Sequence, residues 1–285
     1  MPSLRVNSLS LLPTQTEDVE RMEVVLGPGS ALYGPNTANG VLHVLTKSPL
    51  DHQGTIASVM GGEREVASGS VRTSHLLTED LGIKVSARYF QGREWEHTDP
   101  VELQTRQAVL PADPDTRIGL RDFDLMNWSV DARADWRISP ELTAIVSGGQ
   151  TKTDGIDLNG IGASQLMGWT YRYYQARANW RRAFAQVYMT ESDAGETYNL
   201  RTGADYHDNS SLLVAQLQHG FSLGERQDFI YGLDYIGTRP DTRGTIHGDN
   251  EDRDDLTEFG GYLQSETSLG SRFDLVLAGR LDKHS

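Results

Sequence analysis

Between Asn127 and Ile138 the sequence reads NWSVDARADWRI, with Trp128, Val130, Ala132, Ala134, Trp136 and Ile138 on one parity. Asn127, Ser129, Asp131, Arg133, Asp135 and Arg137 hold the other. Twelve residues of unbroken period two put every apolar side chain on one face of a β-strand, where a helix would scatter them. The alternation recurs at Gly82–Tyr89, Phe229–Ile236 and Phe273–Asp282, and more weakly at 55–62, 66–76, 141–150, 184–193, 210–222 and 256–268. In 168–181 the phase slips between Tyr173 and Tyr174, which predicts a β-bulge. About eleven strands are expected after residue 52, many of about ten residues or more.

The links between strands carry a second pattern. From residue 77 onwards short links (Leu77–Leu81, Ser139–Pro140, Arg181–Ala183, Leu223–Arg226, Leu269–Ser271) alternate with long ones near 92–121, 151–167, 194–209 and 239–255. A soluble sandwich has no reason to sort loop length by parity. A transmembrane barrel does, because its inner turns are short and its outer loops long. Trp128 and Trp136 share the apolar parity, and along a strand tilted near 45° they differ in depth by roughly 19 Å. That spacing suits the two interfacial girdles, and Trp169, Tyr171 and Tyr173 cluster at another strand end.

Composition narrows the function classes. The 26 Lys+Arg against 40 Asp+Glu give a net charge of −14, so there is no basic excess to neutralise nucleic-acid phosphates. The absence of Cys removes disulfide scaffolds, thiolate zinc sites and Cys nucleophiles. No apolar run approaches the roughly 20 residues of a spanning helix. The histidines (His43, His52, His75, His97, His207, His219, His247, His284) form no zinc-hydrolase motif, and no Gly-x-Ser-x-Gly elbow occurs. The acidic run Asp249–Asp255 lacks the sixth-position Gly of a calcium loop and reads as a solvated outer loop. No metal, cofactor or catalytic residue is therefore expected.

Residues 18–47 differ from the rest. Two short apolar strands, Met22–Leu26 and Gly40–Thr46, flank a Gly/Pro/Asn-rich connection. Gly27, Pro28 and Gly29 make a turn there, Ser30 caps a helical turn, and Gly34–Pro35 ends it. No Lys-Ser/Thr follows Gly34, so a phosphate loop is excluded. The order Glu20-Arg21-Met22-Glu23-Val24, Gly27-Pro28, Tyr33-Gly34 and Gly40-Val41-Leu42-His43-Val44-Leu45-Thr46-Lys47 resembles the C-terminal end of the plug domain of TonB-dependent outer-membrane receptors. Leu26 stands where that family usually has Arg, Asn39 replaces the first of two glycines, and His43 stands where Asn is common. Gly261-Tyr262-Leu263-Gln264 and Gly279-Arg280-Leu281-Asp282 resemble pieces of the family's barrel.

The resemblance implies an all-β fold: a transmembrane antiparallel β-barrel, about 11 strands of an expected 22, preceded by the end of an α+β plug domain. Residues 1–50 would be the C-terminal part of the plug and 51–285 the N-terminal half of the barrel. The earlier plug and the remaining strands are expected in a longer chain. It also implies the outer membrane of a Gram-negative bacterium, surrounding lipid, and TonB-driven uptake powered by the inner-membrane ExbB/ExbD motor. The solute would be small and scarce, a ferric siderophore or other iron chelate, with cobalamin and oligosaccharides as alternatives. Structural residues of the plug motif would be Glu20, Arg21, Glu23, Gly27, Pro28, Tyr33, Gly34, Gly40 and Lys47, with Glu20, Arg21 and Glu23 fixing the plug to the wall through buried ion pairs. The polar parity of Asp131, Arg133, Asp135 and Arg137 would face lumen and plug, and Trp95 or Trp169 would touch ligand. The rival readings are a barrel enzyme or adhesin without transport, and a soluble carbohydrate-binding module.

Overall fold

The computed structural model describes residues 2–3, 11–26, 40–159, 162–270 and 272–284. The expected turn at Gly27–Pro28, the cap at Ser30 and the Tyr33–Gly34 pair lie outside the described residues. A 3-10 turn at Thr16–Asp18 leads into β1 (Val19–Leu26), which pairs antiparallel with β2 (Gly40–Thr46) in a sheet of its own. Gly40 lies opposite Leu26 at φ +132°, and a Cβ there would stand 2.3 Å from the Val25 carbonyl oxygen. Only glycine fits that crossing.

A second sheet holds the rest. β3 (Gly54–Gly61), β4 (Ala67–Thr78) and β5 (Leu81–Arg93) are followed by an excursion containing α1 (Pro100–Val109). Then come β6 (Asp124–Ser139), β7 (Leu142–Asn159), β8 (Gly162–Trp180), β9 (Ala183–Asp193) and the two-residue β10 (Tyr198–Asn199), which pairs with β8. β11 (Ser211–Leu223), β12 (Gln227–Arg239), β13 (Leu256–Ser268) and β14 (Asp274–His284) complete it. Apart from β10, the strands lie in chain order and each is antiparallel to the next. Among the described residues, eleven long strands after residue 52 agree with the alternation in the sequence.

The sheet is inside out compared with a soluble protein. In β6, Asp131 and Asp135 are 6% and 2% exposed, while Val130, Trp136 and Ile138 are 41%, 51% and 46% exposed. In β5, Lys84 is buried and Val85 exposed; on β7 to β13, Val146, Tyr174, Val187, Leu217, Leu233 and Leu263 all lie open. An exposed apolar face of this extent would aggregate in water and is at home in hydrocarbon. No helix is long and apolar enough to cross a membrane among the described residues.

Two expectations need correction. The segment 151–167 is not a loop: β7 and β8 run on as a hairpin of 18- and 19-residue strands. Nineteen residues extend roughly 63 Å, about 44 Å along the barrel axis at 45° tilt, well beyond the ~30 Å of hydrocarbon. Beyond the lipid other links cover the hairpin, and Ala163, Ser164 and Gln165 are buried in succession, so no alternation marks the strand. The bulge expected at Tyr173/Tyr174 is absent, and pairing runs regularly through both residues. The register shift falls instead between Thr153 and Gly155. Tyr173 points inward and Tyr174 is exposed outside, so the blurred phase reflects aromatics on both faces. Tyr171 and Tyr173 consequently do not belong to an outer girdle. Finally, the link after β5 holds α1, capped by Asp99, whose Oδ1 accepts from Val101 N at 2.8 Å and Glu102 N at 3.3 Å. Asp99-Pro100 is a helix-start signal, with Pro at the first helical position.

Candidate functional site

The polar parity of the wall is buried because a segment of chain lies against it. The Thr16–Asp18 turn and residues 46–52 press onto the inner face of β3 to β6. Asp18 sits between two cations, accepting from Arg72 Nε at 2.8 Å and Lys84 Nζ at 2.6 Å. All three side chains are at most 2% exposed. Arg72 and Lys84 occupy inward positions of neighbouring strands, Arg72 opposite Ser86 and Ser74 opposite Lys84. Each cation also donates to a backbone carbonyl of the inner segment: Arg72 to His52 O at 3.0 Å, Lys84 to Lys47 O at 2.9 Å.

The contact widens on either side. Glu17 accepts from Ser58 and Ser70, each at 3.1 Å, tying the turn to β3 and β4. Its own backbone N–H holds the Glu17 carboxyl below the ordinary range, against desolvation and with help from the two serines. Lys47 donates its backbone N–H to Asp18 O and its Nζ to Glu17 O, both at 2.8 Å, so it staples the end of β2 to the turn. On β6, Arg133 forks onto Asp135 at 2.6 and 2.8 Å and donates to Thr46 O at 3.1 Å and Thr46 Oγ1 at 2.9 Å. Ser48 Oγ donates to Asp135 at 2.8 Å. Gly82 makes room for the backbone itself, since a Cβ there would meet the Pro49 carbonyl carbon at 2.9 Å. Farther up the wall, the Tyr173 hydroxyl donates to Asp131. Charges this deeply buried are tolerable only when paired and hydrogen-bonded, and here they are.

On the side of the long links a second assembly stands clear of the membrane band. Arg121 forks onto Glu102 of α1 at 2.7 and 2.8 Å, both side chains buried. Arg106 donates to Thr116 O and Ile118 O at 2.8 Å each. Tyr198 donates to Leu120 O at 2.6 Å, joining this excursion to β10 and its partner β8. In the link after β12, Glu251 accepts from the backbone N–H groups of Thr242 (2.7 Å), Arg243 (2.6 Å) and Gly244 (2.9 Å). Desolvation pushes its carboxyl up, but the Thr242 hydroxyl and these N–H donors prevail and lower its pKa to about 2.

The residues singled out in the sequence fall unevenly on this map. Asp131, Arg133 and Asp135 do face inward, while Arg137 lies at the exposed rim, 3.2 Å from Asp51. Gly40 and Lys47 shape the β1–β2 ribbon and its attachment. Gly27, Pro28, Tyr33 and Gly34 are outside the described residues. Glu20, Arg21 and Glu23 are placed differently from the buried wall contacts expected of them. Arg21 pairs with Glu20 at 3.1 Å and Glu23 at 2.7 Å, all exposed, and none makes an ion pair to the barrel strands among the described residues. The carboxylates that reach the wall are Glu17 and Asp18, just upstream, and the cations that pair with Asp18 come from the wall. Trp95 is exposed, with Arg64 4.2 Å over its ring. Trp169 is a correction: it is buried against Leu11 and Ala194, and its Nε1 donates to Ser192 Oγ at 3.0 Å, so it presents no surface to a ligand. Asp18, Arg72 and Ser48 were missed, although Arg72 and Lys84 stand on the polar parity of adjacent predicted strands.

No family model matches the chain. Among curated proteins it is similar to the ferric enterobactin receptor PirA of Pseudomonas aeruginosa, 26% identical over 143 residues, which are 49% of this chain and 19% of PirA. It is 23% identical over 283 residues to the iron-regulated outer membrane virulence protein of Vibrio cholerae, covering 93% of this chain and 39% of that protein. Among solved structures it resembles a mutant of the ferric enterobactin receptor PfeA of P. aeruginosa, with a TM-score of 0.62 and 18% identity over 95% of this chain and 45% of that one. The alcaligin outer-membrane receptor FauA of Bordetella pertussis gives 0.65 and 14% over 94% and 42%. The chain thus spans less than half the length of these relatives. An inside-out antiparallel sheet, a ribbon bearing the plug-end signature and these likenesses converge: the chain is similar in sequence and in fold to TonB-dependent outer-membrane receptors.

Proposed function

We propose that residues 1–50 are the end of the plug and 51–285 the first half of the barrel of an energised importer in the outer membrane. The observation that carries this reading is the buried attachment of a non-barrel segment to the lumen wall through Asp18, Arg72 and Lys84. A wide barrel with a polar lumen would leak, and a segment held inside by charged hydrogen bonds is what a plug requires. In this reading the full-length receptor binds solute on its outer side. TonB, powered by ExbB/ExbD, then pulls on the plug to let the solute pass. No covalent step is assigned to any residue.

The solute we infer is a ferric siderophore. Support comes from the names of the relatives, which include ferric enterobactin receptors and an iron-regulated protein. A vitamin B12 transporter of Vibrio vulnificus, 28% identical over 82 residues, makes cobalamin the second reading. A strain lacking the receptor is expected to lose growth on one ferric chelate under iron limitation and to regain it with the intact gene, only where TonB is present. Loss confined to cobalamin use would select the second reading. Growth unchanged on every chelate and on cobalamin would reject both.

A further inference from the structure

The inner segment touches the molecule at a second place, on β8 and the link after β9 and not on β4 and β5 where the ion pairs lie. Leu11 is buried against Trp169 of β8 and Ala194, the first residue after β9, with Leu166 and Tyr206 packed around them. Ala194 opens the link 194–210, which faces the same side as the other long links. That link is itself bound back onto β8. Gly195 bridges to Met167 at φ 61°, Glu196 N donates to Met167 O at 2.9 Å, and Thr197 Oγ1 donates to Ala194 O at 2.6 Å. Ala194 N in turn donates to Asp208 O at 2.9 Å, closing the base of the link.

We propose that Leu11 is a positioning residue for this outer link: its side chain completes the apolar seat of Trp169 and Ala194, so displacement of the segment around residue 11 loosens 194–208. The seat has one side from the wall, one from the link and one from the inner segment, and each is small. Removing the Leu11 side chain leaves Trp169 and Ala194 with an open face, and buried contacts of this kind collapse only partially when one partner is lost. The ion-paired turn at Asp18 lies seven residues further along the chain, so the segment can leave the seat while its attachment to β4 and β5 holds. Tension applied upstream of residue 11 would thereby be read out on the outer side as a freer link. The inference rests on residues 1–50 being the plug.

Hydrogen exchange of the full-length receptor in detergent or bilayer tests it without any uptake measurement, so its failure would leave the transport reading standing. Leu11→Ala is expected to speed exchange of the amides in 194–208 tenfold or more, with strands β11 to β13 unchanged. Leu11→Met is expected to stay within threefold of the parent. In this cysteine-free chain, oxidised Leu11→Cys/Ala194→Cys should slow exchange in the link below the reduced form. Unchanged exchange of 194–208 in Leu11→Ala, or an increase spread evenly over the barrel, would overturn the proposal.

Discussion

Replacing Asp18 by Asn removes one charge and almost no volume, and leaves Arg72 and Lys84 buried side by side without their anion. Each cation lies within 2.8 Å of the carboxylate, and none of the three groups is more than 2% exposed. At an effective dielectric of 20, one such contact is worth about 4 kcal/mol of attraction at 4 Å, and the loss of one partner from a buried pair costs about 3–5 kcal/mol. That change corresponds to roughly 150- to 5,000-fold more frequent detachment of the inner segment from the wall. Because the chain has no Cys, a single Leu45→Cys thiol in β2 can report detachment through its labelling rate. The account expects labelling in the Asp18→Asn background to accelerate at least a hundredfold. Adding Lys84→Met to Asp18→Asn should recover part of the loss, since it removes one orphaned cation. Acceleration below threefold, or further acceleration on adding Lys84→Met, would refute the electrostatic account of the attachment.

Three other perturbations bear on separate parts of the structure. Glu251 has a lowered folded-state pKa, so its contribution is complete above the ordinary carboxylate value of 4.5 and is lost as pH falls through about 2; protease cleavage within 240–255 should rise over that window, and Glu251→Gln should be cleaved readily at neutral pH. Gly82→Ala places a Cβ 2.9 Å from the Pro49 carbonyl carbon and should cost about 1–3 kcal/mol, read as faster labelling of the same β2 thiol. Val146→Arg puts a charge on the lipid face opposite Ala134, between the depths of Trp128 and Trp136, and should destabilise folding into vesicles by about 2–4 kcal/mol.

What could be read from the sequence follows from what each residue touches. β6 was legible from end to end because one face meets lipid and the other meets charged partners, so every residue carries the distinction. The outer halves of β7 and β8 carry none, because there neighbouring links rather than lipid cover the extended hairpin, and successive residues such as Ala163, Ser164 and Gln165 are buried alike. α1 was signalled by Asp99-Pro100 but sat within a stretch recognisable only as a long link. The inner segment's resemblance to a plug end was legible at 20–47, yet its grip on the wall was not. Asp18 meets Arg72 and Lys84 across 54 and 66 residues of chain, and a pairing so remote leaves no local pattern. Glu20, Arg21 and Glu23 stood out as part of the plug-end motif, and their charges are spent on one another along the exposed ribbon. Trp169 shows the converse: an aromatic at a strand end beside a long link looked available, and it is the wall of a small buried seat.

The central claim is the inversion itself, with lipid against the apolar parity and an attached segment against the polar one. It is tested most directly by spin labels placed singly from residue 130 to 136 of the full-length receptor in bilayers. The account predicts a strict period of two. Labels at 130, 132, 134 and 136 should be relaxed strongly by oxygen and weakly by a water-soluble nickel chelate, and labels at 131, 133 and 135 should be shielded from both. Ready access of the chelate to both parities, or oxygen access without alternation, would contradict it.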